Sequence, residues 1–418
     1  MHLKKIKPAR CETIIEVSLL IMVFLSPVGG ALAFFALLVA VFFWIYKMII
    51  SKEIKLVPAP LNYPIFIFVL VGFCSIFFST KPLTSFAAWI ILLTFSLTYF
   101  LIVNNLKSRK QLERIIKALV IATTLVAVIG IIQYYTGLGV SYRLKYFSFD
   151  FLQQGYRVKS TMSNPNILAG LFVLAIPLSL SLLLGNYKKL HYASKTKTIG
   201  KDILMALSAL AMILCLIFTY SRGGWIGLLG ALLIFGWLKN KKFFILFLLS
   251  ILLSTVLIGG VRNRLESLTN IYFSSNIERL YGWQSALKII KDHPFFGCGL
   301  NTFQQIYPQY MAPQAKEMLA HAHNTFLQIG AEMGLIALGI FIWIFFTLFS
   351  HLWYTFKNIP ERNLNIITLG VFSGFVGFFI HSQFDVVMDY TPVGLLLWSL
   401  MGIAMVLGRF SKNSKTKK

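Results

Sequence analysis

The sequence predicts an all-α membrane protein of about twelve transmembrane helices, with a large loop containing short helices between the ninth and tenth. Three observations carry that expectation. Of 418 residues, 57% are hydrophobic and 13% are charged, more apolar surface than a water-soluble chain of this length can bury. Apolar runs of about 18 residues or more recur from end to end, the length a helix needs to cross the hydrocarbon core. Short clusters of Lys and Arg separate the runs. A formal charge of +25 would suit nucleic acid if it were spread over a soluble surface, but clusters between apolar runs are topology signals.

The predicted spans, in order, are 12–28, 30–50, 61–79, 83–103, 112–135, 164–185, 203–220, 223–238, 242–260, 323–350, 364–384 and 390–409. The first and eighth are short, which a tilted or partly interfacial helix accommodates. Pro27-Val28-Gly29-Gly30 and Ser221-Arg222-Gly223-Gly224 read as tight turns between spans. Ala31-Leu32-Ala33 resembles a signal-peptidase site, but apolar sequence runs on through Trp44 to Ile50, so a retained pair of helices is expected. Cys11, Cys74, Cys215 and Cys298 show no CxxC spacing, so neither a disulfide nor a metal site is expected.

Charge orients the bundle. The basic clusters at Lys4–Arg10, Lys47–Lys55, Lys107–Arg114, Lys188–Lys201, Lys239–Lys242, Lys357–Arg362 and Arg409–Lys418 all fall on alternate connections. By the positive-inside rule these face the cytoplasm, with both termini. Two long loops then lie outside, at about 135–163 and 259–322. The expectation is one membrane domain over 1–418, with the loop 261–322 inserted. Within that loop Ile277, Leu280, Trp283, Leu287 and Ile290 form a stripe at helical spacing. Ser275 and Glu278 fit a capping box at its start, and His293-Pro294 ends it. Such a helix either packs on the bundle or lies on the outer membrane surface over a site.

Outer-side arginines are the first candidates for chemistry. Arg222 sits in a turn of few residues between two apolar spans, where a guanidinium is costly unless it meets an anion. Arg262, Arg264 and Arg279 come from the large loop. Guanidinium binds phosphate through a planar fork of donors, which suits a diphosphate standing at the lipid surface. Pairing with Glu266, Glu278, Asp292, Asp385 or Asp389 is the plainer alternative. His321-Ala322-His323-Asn324 stands where the loop meets the tenth span. A histidine titrates near neutrality and serves as a general base, whereas Asn324 is also a ready helix cap. His381 and Asp385 lie at the outer end of the eleventh span, close enough in topology to neighbour His323. Gly297 and Gly299 read as a turn, and Glu332 with Gln328 as an interhelical polar contact.

In order along the chain, Thr219-Tyr220-Ser221-Arg222-Gly223-Gly224-Trp225, Glu278-Arg279 with Trp283, His293 to Gly299, His323 to Gln328, and Ala331 to Leu335 resemble the O-antigen ligase and polymerase superfamily, most closely the ligases. The resemblance covers roughly 199–409. It implies a bundle of about twelve helices with a large periplasmic loop in the bacterial inner membrane, active site periplasmic. It implies a glycosyltransferase of lipopolysaccharide biosynthesis that moves a glycan from undecaprenyl diphosphate to an acceptor such as lipid A-core, inverting the anomeric carbon without metal, nucleotide or other cofactor. On that resemblance His323, Arg222 and Arg279 are catalytic. Arg262, Arg264, Asn324, Trp283, His321, His381 and Asp385 are expected to bind substrate, and membrane lipids but no nucleic acid are expected partners. In the ligases the His-Asn pair is followed nine residues later by Gly-x-x and Gly, Thr or Tyr. Here Gly334 fits and Ala337 does not. A repeat-unit polymerase, a protein O-oligosaccharyltransferase and, in another class, a lipid or solute transporter are the alternatives.

Overall fold

The computed structural model describes residues 7–53, 55–138, 157–186, 195–239, 245 and 274–415. These are 80% helical, with no strand among the described residues. The helices are α1 (Pro8–Leu25), α2 (Gly30–Ser51), α3 (Asn62–Ser75, continued by a 3-10 turn to Phe78), α4 (Pro82–Asn105), α5 (Arg109–Thr136), α6 (Pro165–Asn186), α7 (Lys195–Phe218), α8 (Arg222–Lys239), α9 (Ser274–Asp292), α10 (Phe303–Tyr310), α11 (Thr325–Asn358), α12 (Arg362–His381) and α13 (Thr391–Lys415). The chain is an all-α membrane protein. Seven of its described helices are long and apolar enough to cross a bilayer, and two shorter apolar ones accompany them. Every predicted span coincides with a helix except 242–260, which apart from residue 245 lies outside the described residues.

Local chemistry explains where the helices begin. A full capping box, Ser108 with Gln111, starts α5 ahead of its apolar run, and Gly137 at φ 70° ends it. α7 begins at Lys195, earlier than its apolar run. α6 and α13 form the centre of the bundle: 94% of α13's apolar window is buried, against 28% for α2. Peripheral helices expose Phe35, Phe42, Phe66, Ile132 and Phe346, as a lipid-facing surface requires.

At one end of the bundle, Lys47 and Lys107 bind Glu12 at 3.3 and 2.6 Å, Arg114 binds Glu16, and Arg109 binds Glu361. The N-terminus and the α2–α3, α4–α5 and α11–α12 connections therefore share that end. Charge counting had assigned the same four to one side. Half-exposed pairs of this kind contribute only about 0.2–1 kcal/mol each, so they mark the surface rather than hold the fold.

Close helix contacts hold it instead. α12 packs against α6 and α8. At the α8–α12 crossing Gly227 and Gly377 face each other, and a Cβ on either would come within 2.7 Å of the other's carbonyl oxygen. Small residues let two membrane helices approach to van der Waals contact where hydrophobic collapse supplies no drive.

The tenth span is broken, which the sequence did not foretell. Gly334, at φ 83° and ψ 175°, interrupts α11 ten residues into the helix. The carbonyls freed by the break are taken by the loop: Cys298 N–H donates to Ala331 O and Gly299 N–H to Glu332 O, both at 2.9 Å, and Leu335 N–H donates to Pro294 O at 2.7 Å. Gly297 and Gly299 are thus more than a turn. They let the Pro294–Gly299 backbone enter the break. Glu332 does make a polar contact between helices: its Oε1 accepts the Phe303 N–H at the start of α10, and its side chain also bonds Gln328. Ala331 joins Ala286, Ile289, Phe303, Tyr307 and Leu319 in a small core that anchors the loop.

α9 differs from its predicted face. Glu278 is buried and accepts the Lys316 and Glu317 N–H groups, so it caps that loop. Ser285, Ala286 and Ile289 face inward, while Leu280 and Leu287 are exposed. Small residues on the packed face and leucines on the free face match the helix that lies at a membrane surface.

Any side chain at position 334 meets a backbone region open only to glycine, costing roughly 1–3 kcal/mol, and its Cβ would stand 2.1 Å from Phe295 O. Gly334→Ala should therefore abolish the monodisperse peak in fluorescence-detected size exclusion. Gly339→Ala, on the same helix with nothing within 4 Å of an added Cβ, should keep it.

Candidate functional site

The site is built at the end of the bundle opposite the ion-pair cluster, where α11 begins. Asn324 caps α11, its Oδ1 accepting from Phe326 N at 2.9 Å and Leu327 N at 3.1 Å. Its Nδ2 donates to Gln383 O at 3.3 Å. Thr325 N–H donates to Ser382 O at 2.8 Å, and Thr325 Oγ1 to Asp385 O at 3.0 Å. These bonds clamp the turn after α12 onto the first turn of α11, and so fix Asp385 beside the two histidines.

His323 Nδ1 lies 3.3 Å from Asp385 Oδ1, an ion-pair contact whose angle is not that of an aligned hydrogen bond. His321 Nε2 is 3.7 Å from the same oxygen. The two imidazole centroids are 4.3 Å apart. Asp385 is 3% exposed. Burial alone would raise its carboxyl, but the His323 contact, then the charges of His323, His321 and Arg279, hold it well below the usual carboxylate range. Its other oxygen accepts from Asn166 Nδ2. Asn166 Oδ1 accepts from Arg157 at 2.8 Å, and Arg157 Nε donates to Thr219 O at 2.9 Å.

The histidines differ. Burial pushes the His321 imidazole down to about 4, offset in part by Asp385, so it is neutral near pH 7. The His323 backbone N–H donates to His321 Nδ1 at 3.3 Å. His321 then carries its proton on Nε2, toward Asp385, and has no lone pair left to act as base. His323, with Nδ1 turned to Asp385, keeps Nε2 for that task. A carboxylate that fixes one imidazole nitrogen leaves the other basic and stabilises the imidazolium once it forms. His323 also sits at φ 52°. Tyr220 and Asn301 share that left-handed conformation, at 49° and 55°. Such strain persists only where surrounding structure enforces it, and it gathers at functional sites.

The arginines arrive on two elements. Arg279 is on α9, half-buried, and its charge acts on Asp385 and His321. Arg222 is the first residue of α8 and 5% exposed. Ser221 caps that helix, its Oγ accepting Gly224 N–H at 3.3 Å. A cation at a helix N-terminus opposes the helix dipole, so the end of α8 is doubly suited to an anion. A Cβ on Gly223 would stand 2.9 Å from Phe384 and 3.1 Å from His381 Nδ1, which brings this helix end against the Asp385 turn. His381 itself is fully buried.

Among the predicted site residues, Arg279, His321, His323, His381 and Asp385 come together, with the Arg222 helix end beside them. Asn324 joins them as a clamp, both ends of its amide engaged by backbone. Trp283 is half-buried on α9, and its indole N–H has no partner among the described residues. Arg262 and Arg264 lie outside the described residues. Asn166 and Arg157, which tie Asp385 to the end of α7, were not singled out from sequence. Their only signal was an arginine on the charge-poor side near the Asn164-Pro165-Asn166 helix start. His321, His323 and Asp385 hold their potential ligand atoms within 4.8 Å of one another, a set that two-histidine-one-carboxylate metal centres share.

Residues 207–342 match the family described as O-antigen ligase, and this supports the O-antigen ligase superfamily. The matched region holds Arg222, Arg279, His321 and His323 and stops short of His381 and Asp385. The family is one of enzymes, glycan ligases and polymerases. No curated protein matches the chain.

The His321 imidazole gives a pH test. Its folded pKa, about 4, lies below the ordinary 6.5, so the unfolded chain binds a proton that the folded one refuses. The stability His321 contributes is complete above pH 6.5 and is lost as the pH falls toward 4. The slope approaches about 1.4 kcal/mol per pH unit. Melting temperatures of the purified protein should fall across that window, and His321→Gln should flatten the fall.

Proposed function

With residues 207–342 as those of the O-antigen ligase superfamily, we propose that the chain transfers a glycan from undecaprenyl diphosphate to an acceptor hydroxyl, such as one on lipid A-core. The reaction belongs to the periplasmic face of the bacterial inner membrane, with both termini cytoplasmic. The observation that carries this reading is the His323–Asp385 pair, which lies under the charge of Arg279 and beside the α8 end that bears Arg222.

In the reaction, the diphosphate rests against Arg222 and Arg279, and the lipid chain stays in the bilayer. The acceptor O–H attacks the anomeric carbon of the donor sugar. A new C–O bond forms as the bond from that carbon to the phosphate oxygen breaks. The electron pair leaves with the diphosphate, whose growing charge the two guanidiniums neutralise. His323 Nε2 takes the hydroxyl proton, and Asp385 stabilises the resulting imidazolium. Attack opposite the leaving group inverts the carbon. The activated bond is already present in the donor, so no nucleotide is consumed. Arg262 and Arg264 of the loop, with Trp283, extend the donor site, while His321 and His381 support Asp385.

A repeat-unit polymerase would use the same groups on two lipid-linked chains, and the Ala337 departure weakens the choice of ligase over it. The two differ in what a null mutant accumulates. A ligase null keeps long glycans on the lipid carrier. A polymerase null caps its acceptor with single repeats.

Two measurements test the chemistry. In complemented cells with matched protein levels, His323→Ala should lower transfer roughly 10²–10⁴-fold, and Arg222→Ala should erase the glycan ladder on gels. Unchanged ladders in both would end this mechanism. Chelators such as EDTA should leave the purified enzyme's rate unchanged, while a rate that collapses and returns with a divalent cation would make His321, His323 and Asp385 metal ligands instead.

A further inference from the structure

A cavity of about 280 Å³ adjoins the histidines, and the mechanism above does not use it. Its walls come from α3, α4, the segment leading into α10, α11, the turn after α12, and α13. Small-molecule pockets begin near roughly 300 Å³, so it has room for a sugar ring. It ends at His321, one ring contact, 4.3 Å between centroids, from His323.

The chemistry of its lining is selective. Among the described residues no Lys or Arg lines it, and its carboxyls are Glu332 and Asp389. Glu332 is committed to the Phe303 N–H. Asp389 has no hydrogen-bond or ion-pair partner among the described residues, yet it opens onto the cavity. It is accessible to water through the cavity and crowded by protein behind, which pushes its carboxyl up to about 6. Asn301 and Gln304 add amides, and Phe95 and Trp398 add flat apolar walls. Carboxylates accept hydroxyl protons, amides accept and donate, and ring faces cover the C–H face of a sugar. A phosphate entering past the Asp389 carboxylate, with no cation among the described lining residues to receive it, would be repelled. Neither Arg222 nor Arg279 lines this cavity.

We propose that this cavity is the acceptor subsite, that it takes a neutral, hydroxyl-rich sugar ring, and that Asp389 is a specificity-determining residue receiving that ring's hydroxyls. The proposal rests on the glycosyl-transfer reading and adds a division of labour to it. The anionic donor head belongs to the arginines. The uncharged nucleophile belongs to the acidic chamber, and the two meet at His323.

Two experiments test it. The first uses the unaltered protein in detergent, treated with a water-soluble carbodiimide and glycine ethyl ester, with labelling of Asp389 followed by peptide mass spectrometry. Rough lipopolysaccharide with a complete core should protect Asp389, and undecaprenyl diphosphate should not. Protection by undecaprenyl diphosphate, equal protection by both, or no labelling of Asp389 overturns the assignment. The second compares steady-state constants for Asp389→Asn, with rough lipopolysaccharide as acceptor and undecaprenyl diphosphate-linked glycan as donor. Loss of a charged hydrogen bond should raise the acceptor KM about tenfold and leave the donor KM within about twofold. A rise in the donor KM alone, or no change in either, overturns it. If the unaltered protein transfers no glycan to this acceptor, the ligase reading falls, and the protection result still decides what the cavity binds.

Discussion

Inside hydrocarbon a backbone N–H or C=O without a partner costs several kcal/mol, and that constraint organises the functional half of this molecule. α11 breaks at Gly334, which would strand its carbonyls in the bilayer. The Pro294–Gly299 segment supplies the missing donors and acceptor. The loop can therefore not drift over the bundle as a loose flap. It is fastened at the break and then packed by its own small core around Ala331 and Phe303. Everything the loop carries inherits that position: α9 with Arg279, α10 with its N-terminus on Glu332, and the 321–323 segment that leads into α11.

Rigidity at that point matters because the groups beside it are costly to hold. Asp385 is buried and ionised, His321 is partly buried and neutral, and Arg222 is buried at a helix end whose dipole disfavours it. Each charge survives because neighbours were set before it. Asn166 and Arg157 brace one carboxylate oxygen of Asp385, while the Asn324–Thr325 clamp fixes the turn it stands on. A preorganised environment of this kind stabilises a developing charge without rearranging during the reaction. The left-handed backbone at Tyr220, Asn301 and His323 fits the same account, since one such residue stands next to the arginine helix, one on the cavity wall and one at the base.

The helices were legible in the sequence because a bilayer leaves few options: apolar length sets a span, and lysine clusters set its direction. Arg222, Arg279, His323 and the Asp385 neighbourhood were legible too. Charge on the charge-poor side of a membrane protein needs a reason, and the ordered motifs supplied one. The break at Gly334 was not, because a glycine within an apolar run looks the same whether it packs a helix or interrupts one. Glu278 was misjudged for a related reason: its spacing from Ser275 fits a local cap, and only the folded loop brings the Lys316 and Glu317 amides to it. The cavity was out of reach of any local pattern. Its walls run from Phe68 to Trp398, and no window of sequence contains both.

That separation has a chemical consequence for a transferase of this kind. A donor diphosphate and an acceptor sugar differ in charge, and a single cationic cleft would hold the donor so well that free sugar could not compete for the remaining space. On the proposed reaction, guanidinium groups on α8 and α9 and carboxyls in a chamber between α3, α4, α11 and α13 would give each substrate a surface that disfavours the other. His321 can stand at the boundary because it is neutral: a charged imidazolium there would draw phosphate into the acceptor chamber. On that proposal, the low proton affinity of this partly buried ring helps keep the two substrates apart. It follows that acidification to near pH 4 should weaken substrate discrimination as well as the fold, because the wall between the compartments would gain charge.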